Sequence, residues 1–574
     1  MTALVETPTT AIDGTLARLV AHKDAWAQLP IARKIQYLKD MRPKIAAVAD
    51  EWVAAAVQAK HIAPDSPLTG EEWTSGPWAV LYGLNRLVES LEAINKTGKP
   101  ALKDSAIHTR ADGQVVVKVF PSSLYDRLLI SGVTAEVWMQ PGVTPENLRD
   151  TMAVFYSQIE PAGLVALVLG AGNIASIAPL DVFYKLFVDG EGCLLKMNPI
   201  NDYLGVFMER IFADFIRDGY VATAYGGPEV GAYLCNHPDI ATIHITGGNK
   251  THDAIVFGAG PEGEARRQRN EPLLHKPISS ELGNVSPTIV VPGPWSKADL
   301  QFQAEHIATQ KMHNAGFNCI ASQVLVLPAT WNQKDALLEA LRQTFKQIEP
   351  RYQYYTGQAQ RRQSFLQAHT DAEILDTNDT PRLLINVGSG NLDDICFKTE
   401  AFANVYATTQ LPGQDAAQFL QNAVAFCNDT LWGTLGANIL IHPATIKELG
   451  AKFDRAVADL RYGCVAINSW TGVGFLLAQT TWGAYPGHPE NDIQSGRGVV
   501  HNSFMFDKPQ KSVIRQPFYP FPRNLRHGEI HSLPKPPWFV TNKQASHTAR
   551  RLTMFEARPG PQHLAGIFMA ALRG

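Results

Sequence analysis

The fold class is indicated by an apolar run that ends in a glycine turn, Leu164-Val165-Ala166-Leu167-Val168-Leu169-Gly170-Ala171-Gly172-Asn173-Ile174-Ala175. Short continuous apolar runs bounded by glycine are typical of strands buried on both faces of a parallel sheet. The following stretch from Ser176 to Phe187 suits a helix, and Cys193-Leu194-Leu195-Lys196 suits a second strand. Strand, glycine turn, helix and strand form a βαβ unit, and the turn matches the dinucleotide fingerprint G-x-G-x-x-G/A in its expected context.

The alternation of strand and helix patterns continues along the chain. Further β-branched and apolar runs occur at 241–245, 288–291 and 324–327, which predicts an α/β fold with a mainly parallel sheet. From Ala11 to Thr97 the apolar residues are spaced in threes and fours, as in amphipathic helices. Beyond Asn502 prolines are frequent, and only His563 to Leu572 suits a short amphipathic helix. For this tail we favour packing against the body over capping a site mouth or contacting a membrane.

Size and charge restrict the function classes. A chain of 574 residues exceeds the ~250–300 residues at which single cores stop growing, so at least two domains are expected. A hydrophobic fraction of 45% and a net charge of −3 describe a globular protein without the basic excess of nucleic-acid-binding domains. The basic run Arg266-Arg267-Gln268-Arg269 and the glycine-containing stretch 258–263 are interpreted as exposed loops.

The six cysteines are far apart and have no CxxC spacing, so neither a metal site nor a disulfide framework is predicted. The first residues, Met1 to Thr10, lack the pattern of a secretory signal, and no apolar run approaches the ~20 residues of a membrane helix. These features predict a soluble cytoplasmic protein.

One cysteine, Cys319, lies in the run His313-Asn314-Ala315-Gly316-Phe317-Asn318-Cys319-Ile320-Ala321-Ser322, and Glu281 precedes it. A cysteine attacks as its thiolate, so a nucleophilic cysteine needs a partly exposed site with help from neighbouring groups. The glycine and asparagines beside Cys319 suit a turn that presents the sulfur. Taken alone, however, a free cysteine is more often a buried core residue.

The motifs taken together resemble the aldehyde dehydrogenase superfamily over roughly Ile31 to Tyr485. Their order carries the likeness, and they are Glu160-Pro161-Ala162-Gly163, Asn173, Leu195-Lys196, Ile245-Thr246-Gly247, Glu281-Leu282-Gly283, Cys319, Glu400-Ala401-Phe402 and Ile467-Asn468. The resemblance implies that the turn at Gly170 to Ala175 faces the reacting carbonyl group, and that the cofactor pyrophosphate lies after Thr246.

The resemblance also implies the catalytic roles. Cys319 is the expected nucleophile, which forms a thiohemiacetal with an aldehyde and then a thioester. Asn173 is the expected oxyanion donor, and Glu281 the expected base that activates the hydrolytic water. For the cofactor, NAD or NADP, the implied binding residues are Lys196, Gly247, Gly248, Gly283, Glu400 and Phe402.

Three positions depart from the family pattern. Pro199 stands where an acid often contacts the ribose, which leaves the choice between NAD and NADP open. His252 stands where a second glycine often closes the phosphate turn, and Asn404 replaces a usual proline. Trp470, Phe475 and Trp482 favour an apolar or aromatic aldehyde, although aromatic residues at such places are more often core.

The expected architecture is a Rossmann-type cofactor domain, an α/β catalytic domain and a small bridging segment for oligomerisation. We expect an N-terminal helical part at 1–110, the nucleotide-binding domain at 111–290 with a bridging strand near 133–140, and the catalytic domain at 291–487. Residues 488–574 are expected to hold the rest of the bridging segment and the proline-rich tail. The family implies a homodimer or homotetramer.

Two other functions stay open at this stage. A CoA-acylating aldehyde dehydrogenase, or acyl-CoA reductase, uses a thiol in place of water, and Glu281 argues against it because such relatives generally lack the base. A non-catalytic binding protein with a degraded cofactor site is the other alternative, motivated by Pro199 and His252.

Overall fold

The computed structural model describes residues 5–574; Met1 to Leu4, the beginning of the stretch inspected for a signal, lie outside the described residues. Two sheets organise this part of the chain. The strands are β1 (Ile107–Thr109), β2 (Val115–Phe120), β3 (Thr134–Met139), β4 (Val165–Leu169), β5 (Gly192–Lys196), β6 (Val221–Ala224), β7 (Thr242–Gly247), β8 (Ile278–Leu282), β9 (Ser286–Val290), β10 (Ser322–Pro328), β11 (Glu373–Ile374), β12 (Leu383–Asn386), β13 (Val405–Leu411), β14 (Gly436–Leu440), β15 (Cys464–Ile467), β16 (Thr481–Trp482), β17 (Gly496–Arg497), β18 (Val500–His501) and β19 (Pro509–Arg515).

Helices cover both sheets. They are α1 (Thr9–Ala27), α2 (Ile31–Ala59), α3 (Thr69–Trp73), α4 (Ala79–Thr97), α5 (Leu124–Leu129), α6 (Ile177–Phe183), α7 (Gly205–Ile211), α8 (Ala213–Arg217), α9 (Pro228–Asn236), α10 (Asn249–Phe257), α11 (Gly260–Arg269), α12 (Lys297–Met312), α13 (Lys334–Gln347), α14 (Gln358–Ala368), α15 (Ile395–Lys398), α16 (Ala416–Asp429), α17 (Pro443–Leu449), α18 (Ala451–Asp459), α19 (Thr471–Leu476), α20 (Ala545–Ala557) and α21 (Leu564–Ala571). Wider π-type turns join α3 to α4 at Thr74–Trp78 and extend α6 at Tyr184–Asp189.

The six-stranded sheet contains the predicted βαβ unit. Its strand order is β17-β8-β7-β4-β5-β6, and all neighbours are parallel except β17 and β8. Every residue of β4 and of β5 is buried, because helices pack on both faces of the sheet. The α/β class with a Rossmann-type sheet agrees with the prediction from sequence.

The eleven-stranded sheet has the order β1-β2-β3-β19-β15-β14-β9-β10-β13-β12-β11. The structure differs here from the division expected from sequence. The strands of 107–139 belong to this sheet and not to the six-stranded one. β9 also belongs to this sheet. The chain therefore changes sheets between Leu282 and Ser286, ahead of the boundary expected at 290. The two sheets share one apolar sequence pattern, so composition alone could not separate them.

The two strands expected to bridge copies of the chain pair within one chain. β3 pairs with β19 antiparallel, and β19 pairs with β15 parallel, from Cys464 beside Ser512 to Ile467 beside Arg515. The segment beyond 487 also contributes β17, which pairs with β8 in the six-stranded sheet and places Gly496 beside Glu281.

The prediction of an exposed loop at 258–269 is wrong, because most of this stretch is helix α11. Gly258, at φ 93°, ends α10, and Pro261 occupies the first turn of α11. The arginines lie in the last turn of α11, where positive charge is favourable, and Arg266 pairs with Glu262 at 3.2 Å one turn earlier.

The proline-rich tail packs against the body, as favoured from sequence, and it carries a helix, α20, that the sequence did not reveal. A Cβ atom at Gly70 would lie 2.6 Å from the backbone of Ala545, so only glycine allows α3 to approach α20 this closely. Asn85 on α4 donates to the Glu556 carboxylate at 2.8 Å and fixes the other end of α20. Within residues 5–574, no helix is both long enough and apolar enough to cross a bilayer.

Candidate active site

Cys319 lies after α12, in a turn that runs between that helix and β10. Three consecutive residues of the turn have left-handed backbone angles: Asn314 at φ 54°, Ala315 at 57° and Gly316 at 85°. This conformation is unfavourable for an alanine, so it persists only where surrounding contacts impose it. Of the six cysteines, all within the described residues, Cys319 is the one that is partly exposed.

A buried charged network supports this turn from behind. The Lys60 ammonium lies 2.8 Å from the Glu72 carboxylate and also donates to Asn314 Oδ1 at 3.0 Å and to the Asn173 carbonyl at 3.2 Å. The backbone N–H of Asn314 donates to the neighbouring Glu71 at 3.0 Å. Because the Lys60 ammonium contacts Glu72, Asn314 and Asn173 at once, the network fixes the turn and Asn173 relative to one another.

Glu281 is the next-to-last residue of β8, the second strand of the six-stranded sheet, and is 2% exposed. Burial raises the pKa of this carboxyl to about 7, and a hydrogen bond with the Cys319 thiol opposes the rise. The pKa of the Cys319 thiol lies well above its ordinary value, first because of burial and then because of the adjacent Glu281 charge. The thiol is therefore hydrogen-bonded to a carboxyl group whose pKa is close to neutral pH.

Asn173 lies in the glycine turn after β4, close to the turn that contains Cys319. Its side-chain amide donates to the Phe317 carbonyl at 2.9 Å. An amide nitrogen carries two hydrogens, so this bond orients the group and leaves one donor for another acceptor.

Two cavities meet at Cys319. The larger has a volume of about 550 Å³, and Asn173 and Glu281 line it together with Cys319. The smaller, of about 40 Å³, has mainly apolar walls and receives Cys319 from the other side. The aromatic residues proposed from sequence to contact substrate, Trp470, Phe475 and Trp482, all line this smaller cavity, which we call the inner pocket. A thiol placed between two cavities can meet one molecule from each side.

The walls of the larger cavity include most of the positions expected to bind a cofactor. Gly247 and Gly248 lie at its wall, followed by Asn249 to Thr251 in the first turn of α10. The N-terminus of a helix, with its free backbone N–H groups, favours an anion such as a phosphate. Lys196 ends β5 outside this cavity, and its carbonyl accepts a hydrogen bond at 3.1 Å from the Gly170 N–H of the glycine turn. His252 is fully buried in α10 and does not line the cavity.

Glu400, Phe402 and Gly283 form the opposite wall of the same cavity. A Cβ atom at Gly283 would lie 2.0 Å from Glu400 Oε2, so the carboxylate packs directly on the glycine. Burial raises the pKa of Glu400 to about 8, and the other carboxylate oxygen, Oε1, has no hydrogen-bond partner in the protein. A buried carboxyl with an unsatisfied oxygen is suited to receive a hydroxyl group of a ligand.

Sequence reasoning missed the groups that hold these walls. Arg361 lines the larger cavity and donates to the carbonyls of Ala401 and Phe402, both at 3.1 Å. Lys60 and Glu72 were missed as well, because they lie on N-terminal helices more than 100 residues from Asn173. In the sequence these are charges on amphipathic helices, and nothing marks them as buried.

A separate group of three potential metal ligands, His369, Asp394 and Cys396, has its ligand atoms within 4.8 Å of one another. The Asp394 carboxylate caps helix α15 through the Cys396 backbone N–H at 2.9 Å and contacts His369 at 3.0 Å. Helix capping accounts for this arrangement.

The fold and the arrangement around Cys319 define an α/β protein in which a partly exposed cysteine lies beside a buried carboxyl group. Residues 136–355 match the sequence model of the aldehyde dehydrogenase family. This match agrees with the resemblance to the aldehyde dehydrogenase superfamily found in the sequence.

Individual relatives are distant. A coniferyl aldehyde dehydrogenase of Pseudomonas sp. (strain HR199 / DSM 7063) is 24% identical over 171 residues, which is 30% of this chain and 32% of that protein. The alignment thus spans about a third of that relative's length.

Solved structures are similar over most of the chain. A putative aldehyde dehydrogenase from Burkholderia cenocepacia has a TM-score of 0.58 and 17% identity, covering 90% of this chain and 93% of the other. An indole-3-acetaldehyde dehydrogenase in complex with NAD+ has the same score and identity, with 90% of each chain covered. A glyceraldehyde-3-phosphate dehydrogenase from Methanocaldococcus jannaschii DSM 2661, in complex with NADP, has a TM-score of 0.56 at 14% identity, with 89% and 95% covered.

Proposed function

We propose that this protein oxidises an aldehyde to a carboxylic acid with NAD or NADP, through a thiohemiacetal and a thioester on Cys319. The observation that carries the proposal is the position of Cys319 between the two cavities, with the Glu281 carboxyl beside its sulfur. The aldehyde would occupy the apolar side and the cofactor the larger side.

The residues of the larger cavity fit a nicotinamide dinucleotide. The first turn of α10, with Gly247 and Gly248 before it, would hold the pyrophosphate, and Glu400 with Phe402 would hold the nicotinamide ribose. The unsatisfied Glu400 oxygen supports this fit. When bound, the nicotinamide supplies the hydride acceptor.

The proposed reaction begins with attack by the Cys319 sulfur on the aldehyde carbon. A carbon–sulfur bond forms, and the thiol proton moves to the Glu281 carboxylate. The negative charge on the former carbonyl oxygen would be stabilised by the free Asn173 amide hydrogen and by the Cys319 backbone N–H. Loss of a hydride from the same carbon then leaves a thioester on Cys319.

Hydrolysis completes the cycle. After the proton taken from the thiol has passed from Glu281 to solvent, the carboxylate would take a proton from a water molecule, whose oxygen attacks the thioester carbon. That proton would then pass to the departing sulfur. The carbon–sulfur bond breaks, the carboxylic acid leaves, and the Cys319 sulfur is returned as a thiol. A carboxyl whose pKa is about 7 suits this role, because it is largely ionised just above neutral pH and still basic enough to accept a proton.

The test of this proposal is an aldehyde panel assayed with NAD and with NADP, with and without CoA. We expect NAD(P)H and carboxylic acid to form in equal amounts without any requirement for CoA. A thioester product that depends on CoA would instead favour an acylating dehydrogenase. Failure of both nucleotides to bind would favour a binding protein without catalysis.

Gly283→Ala tests the proposed cofactor wall. The new methyl group would displace the Glu400 carboxylate, which it meets at 2.0 Å. We expect cofactor affinity to fall by about tenfold, the order of one hydrogen bond to a charged group, in a titration of NAD(P)H fluorescence. Gly231→Ala is the matched control, since a Cβ atom there has no neighbour within 4 Å. Equal affinities for both variants would contradict the assignment of Glu400.

A further inference from the structure

A second and larger apolar cavity adjoins the inner pocket. This outer chamber, of about 430 Å³, lies between the N-terminal helices α2 and α4 and the C-terminal segment 532–572. The C-terminal segment forms about half of the wall, mainly through proline, leucine and aromatic residues of α20, α21 and the loop before them. Examples are Trp538, Leu552, Phe555, Ile567 and Phe568.

The chamber is next to the nucleophile. Thr74 and Leu476 line both the outer chamber and the inner pocket that contains Cys319. A molecule with its reactive end at the sulfur would therefore extend past these two side chains into the chamber. The inner pocket alone, at about 40 Å³, holds little more than the reacting group.

The charged groups at the chamber wall disfavour an anionic occupant. The Arg86 guanidinium already pairs with Glu89 at 2.8 Å and lies over the Tyr82 ring. Burial disfavours its charge, yet the pKa of Arg86 is raised because of nearby acids, which include Glu89, Glu556 and Asp126. Only Nη2 of Arg86 pairs with Glu89, and its Nε and Nη1 have no hydrogen-bond partner in the protein. A carboxylate entering the chamber would nevertheless meet a wall with more acidic than basic groups, Glu89, Glu92, Asp126 and Glu556 against Lys39, Arg42 and Arg86.

We propose that the outer chamber holds the apolar body of the substrate, so that the C-terminal segment selects long, uncharged aldehydes. This proposal rests on the proposed function for the aldehyde group but not for the chamber itself. Apolar burial strengthens binding by about fourfold for each methylene group removed from water. The chamber is therefore expected to discriminate between aldehydes by chain length.

Decanal and propanal are the substrates that test the proposal, with Ala571→Trp as the principal variant. Ala571 lines the chamber from α21 and is half-buried, so that an indole can project into the cavity. Ala565→Trp is the matched control, because Ala565 is an exposed residue of the same helix that does not line the chamber. Phe568→Ala, which removes part of the apolar wall, is a second variant.

The wild-type kcat/KM is expected to be at least 100-fold higher for decanal than for propanal, because several methylene groups are buried. Ala571→Trp should raise the KM for decanal at least tenfold and leave propanal within twofold, whereas Ala565→Trp should change neither. Phe568→Ala should raise the decanal KM severalfold. Similar values for the two aldehydes, or equal losses on both in Ala571→Trp, would overturn the proposal.

Binding of decan-1-ol, which cannot be oxidised through a thiohemiacetal, separates the two proposals. Calorimetric titration should give binding to the wild type and to Ala565→Trp, and at least tenfold weaker binding to Ala571→Trp. If decan-1-ol binds in this pattern while no aldehyde is oxidised, the chamber stands and the proposed function fails. If aldehydes are oxidised without chain-length preference and decan-1-ol does not bind, the function stands and the chamber fails.

Discussion

Replacing Cys319 by alanine is expected to lower kcat for aldehyde oxidation by a factor of about 10⁴ or more, the order seen when a covalent nucleophile is removed. Without the sulfur no thiohemiacetal can form, and the carbon has no route to lose a hydride. Cofactor affinity should be unchanged, because the glycine turn at Gly247 and the Glu400 wall are intact. Stopped-flow absorbance and a nucleotide titration measure these two quantities.

Cys427→Ala is the matched control for this prediction. Cys427 is also a free cysteine, but it is buried in α16 away from both cavities, so its loss should remove packing and leave turnover. In the wild type, iodoacetamide should label Cys319 first, since the other five cysteines are buried. Retention of full turnover in Cys319→Ala would rule out the covalent route.

The sequence predicted the parts of this molecule that local pattern encodes. Continuous apolar runs identified β4 and β5, and the order of short motifs indicated the superfamily and the residues around Cys319. These motifs are informative because each one combines a strand end with a turn, which constrains the backbone locally. Of the positions expected at the cofactor, only Lys196 lies outside the cavity, because ending a buried strand does not fix where a long side chain points.

What the sequence could not predict depends on contacts between distant segments. The Lys60–Glu72 pair supports a turn that begins more than 200 residues later, and its charges read as solvent-exposed on an amphipathic helix. The same is true of the tail, whose proline content does not indicate that it will cover α4. The assignment of 107–139 to the eleven-stranded sheet likewise required the pairing of β3 with β19.

Glu281→Gln should separate the two halves of the proposed reaction. Glutamine is almost the same size and keeps a hydrogen-bonding group near the thiol, but it cannot accept a proton from water. We expect a burst of about one NAD(P)H per active site, slower than in the wild type because the thiol proton must then pass to solvent, followed by steady-state turnover that is lower by ~10²–10⁴, the usual contribution of a general base. Rapid mixing with saturating aldehyde resolves the burst from the slow phase.

Added hydroxylamine provides the control, because it is a stronger nucleophile than water and needs less help from a base. It should restore turnover of Glu281→Gln and yield a hydroxamate, which shows that the acyl group had accumulated on the sulfur. Unchanged steady-state turnover in the variant would exclude Glu281 as the base for hydrolysis. A variant that shows no burst and is not rescued by hydroxylamine would mean that Glu281 does not act in hydrolysis alone.

The pH profile follows from the same carboxyl. Since the pKa of Glu281 is raised to about 7, the base form is lost as the pH falls through neutrality. Wild-type hydrolysis should therefore slow about tenfold for each pH unit below 7 and level off above it, whereas the slow phase of Glu281→Gln should lack this inflection. The opposite trend, faster hydrolysis in acid, would mean that the carboxyl acts as an acid in the limiting step. Because burial is the first cause of the raised pKa, the same apolar walls that exclude water from the thioester also make the carboxyl basic enough to activate the one water that must enter.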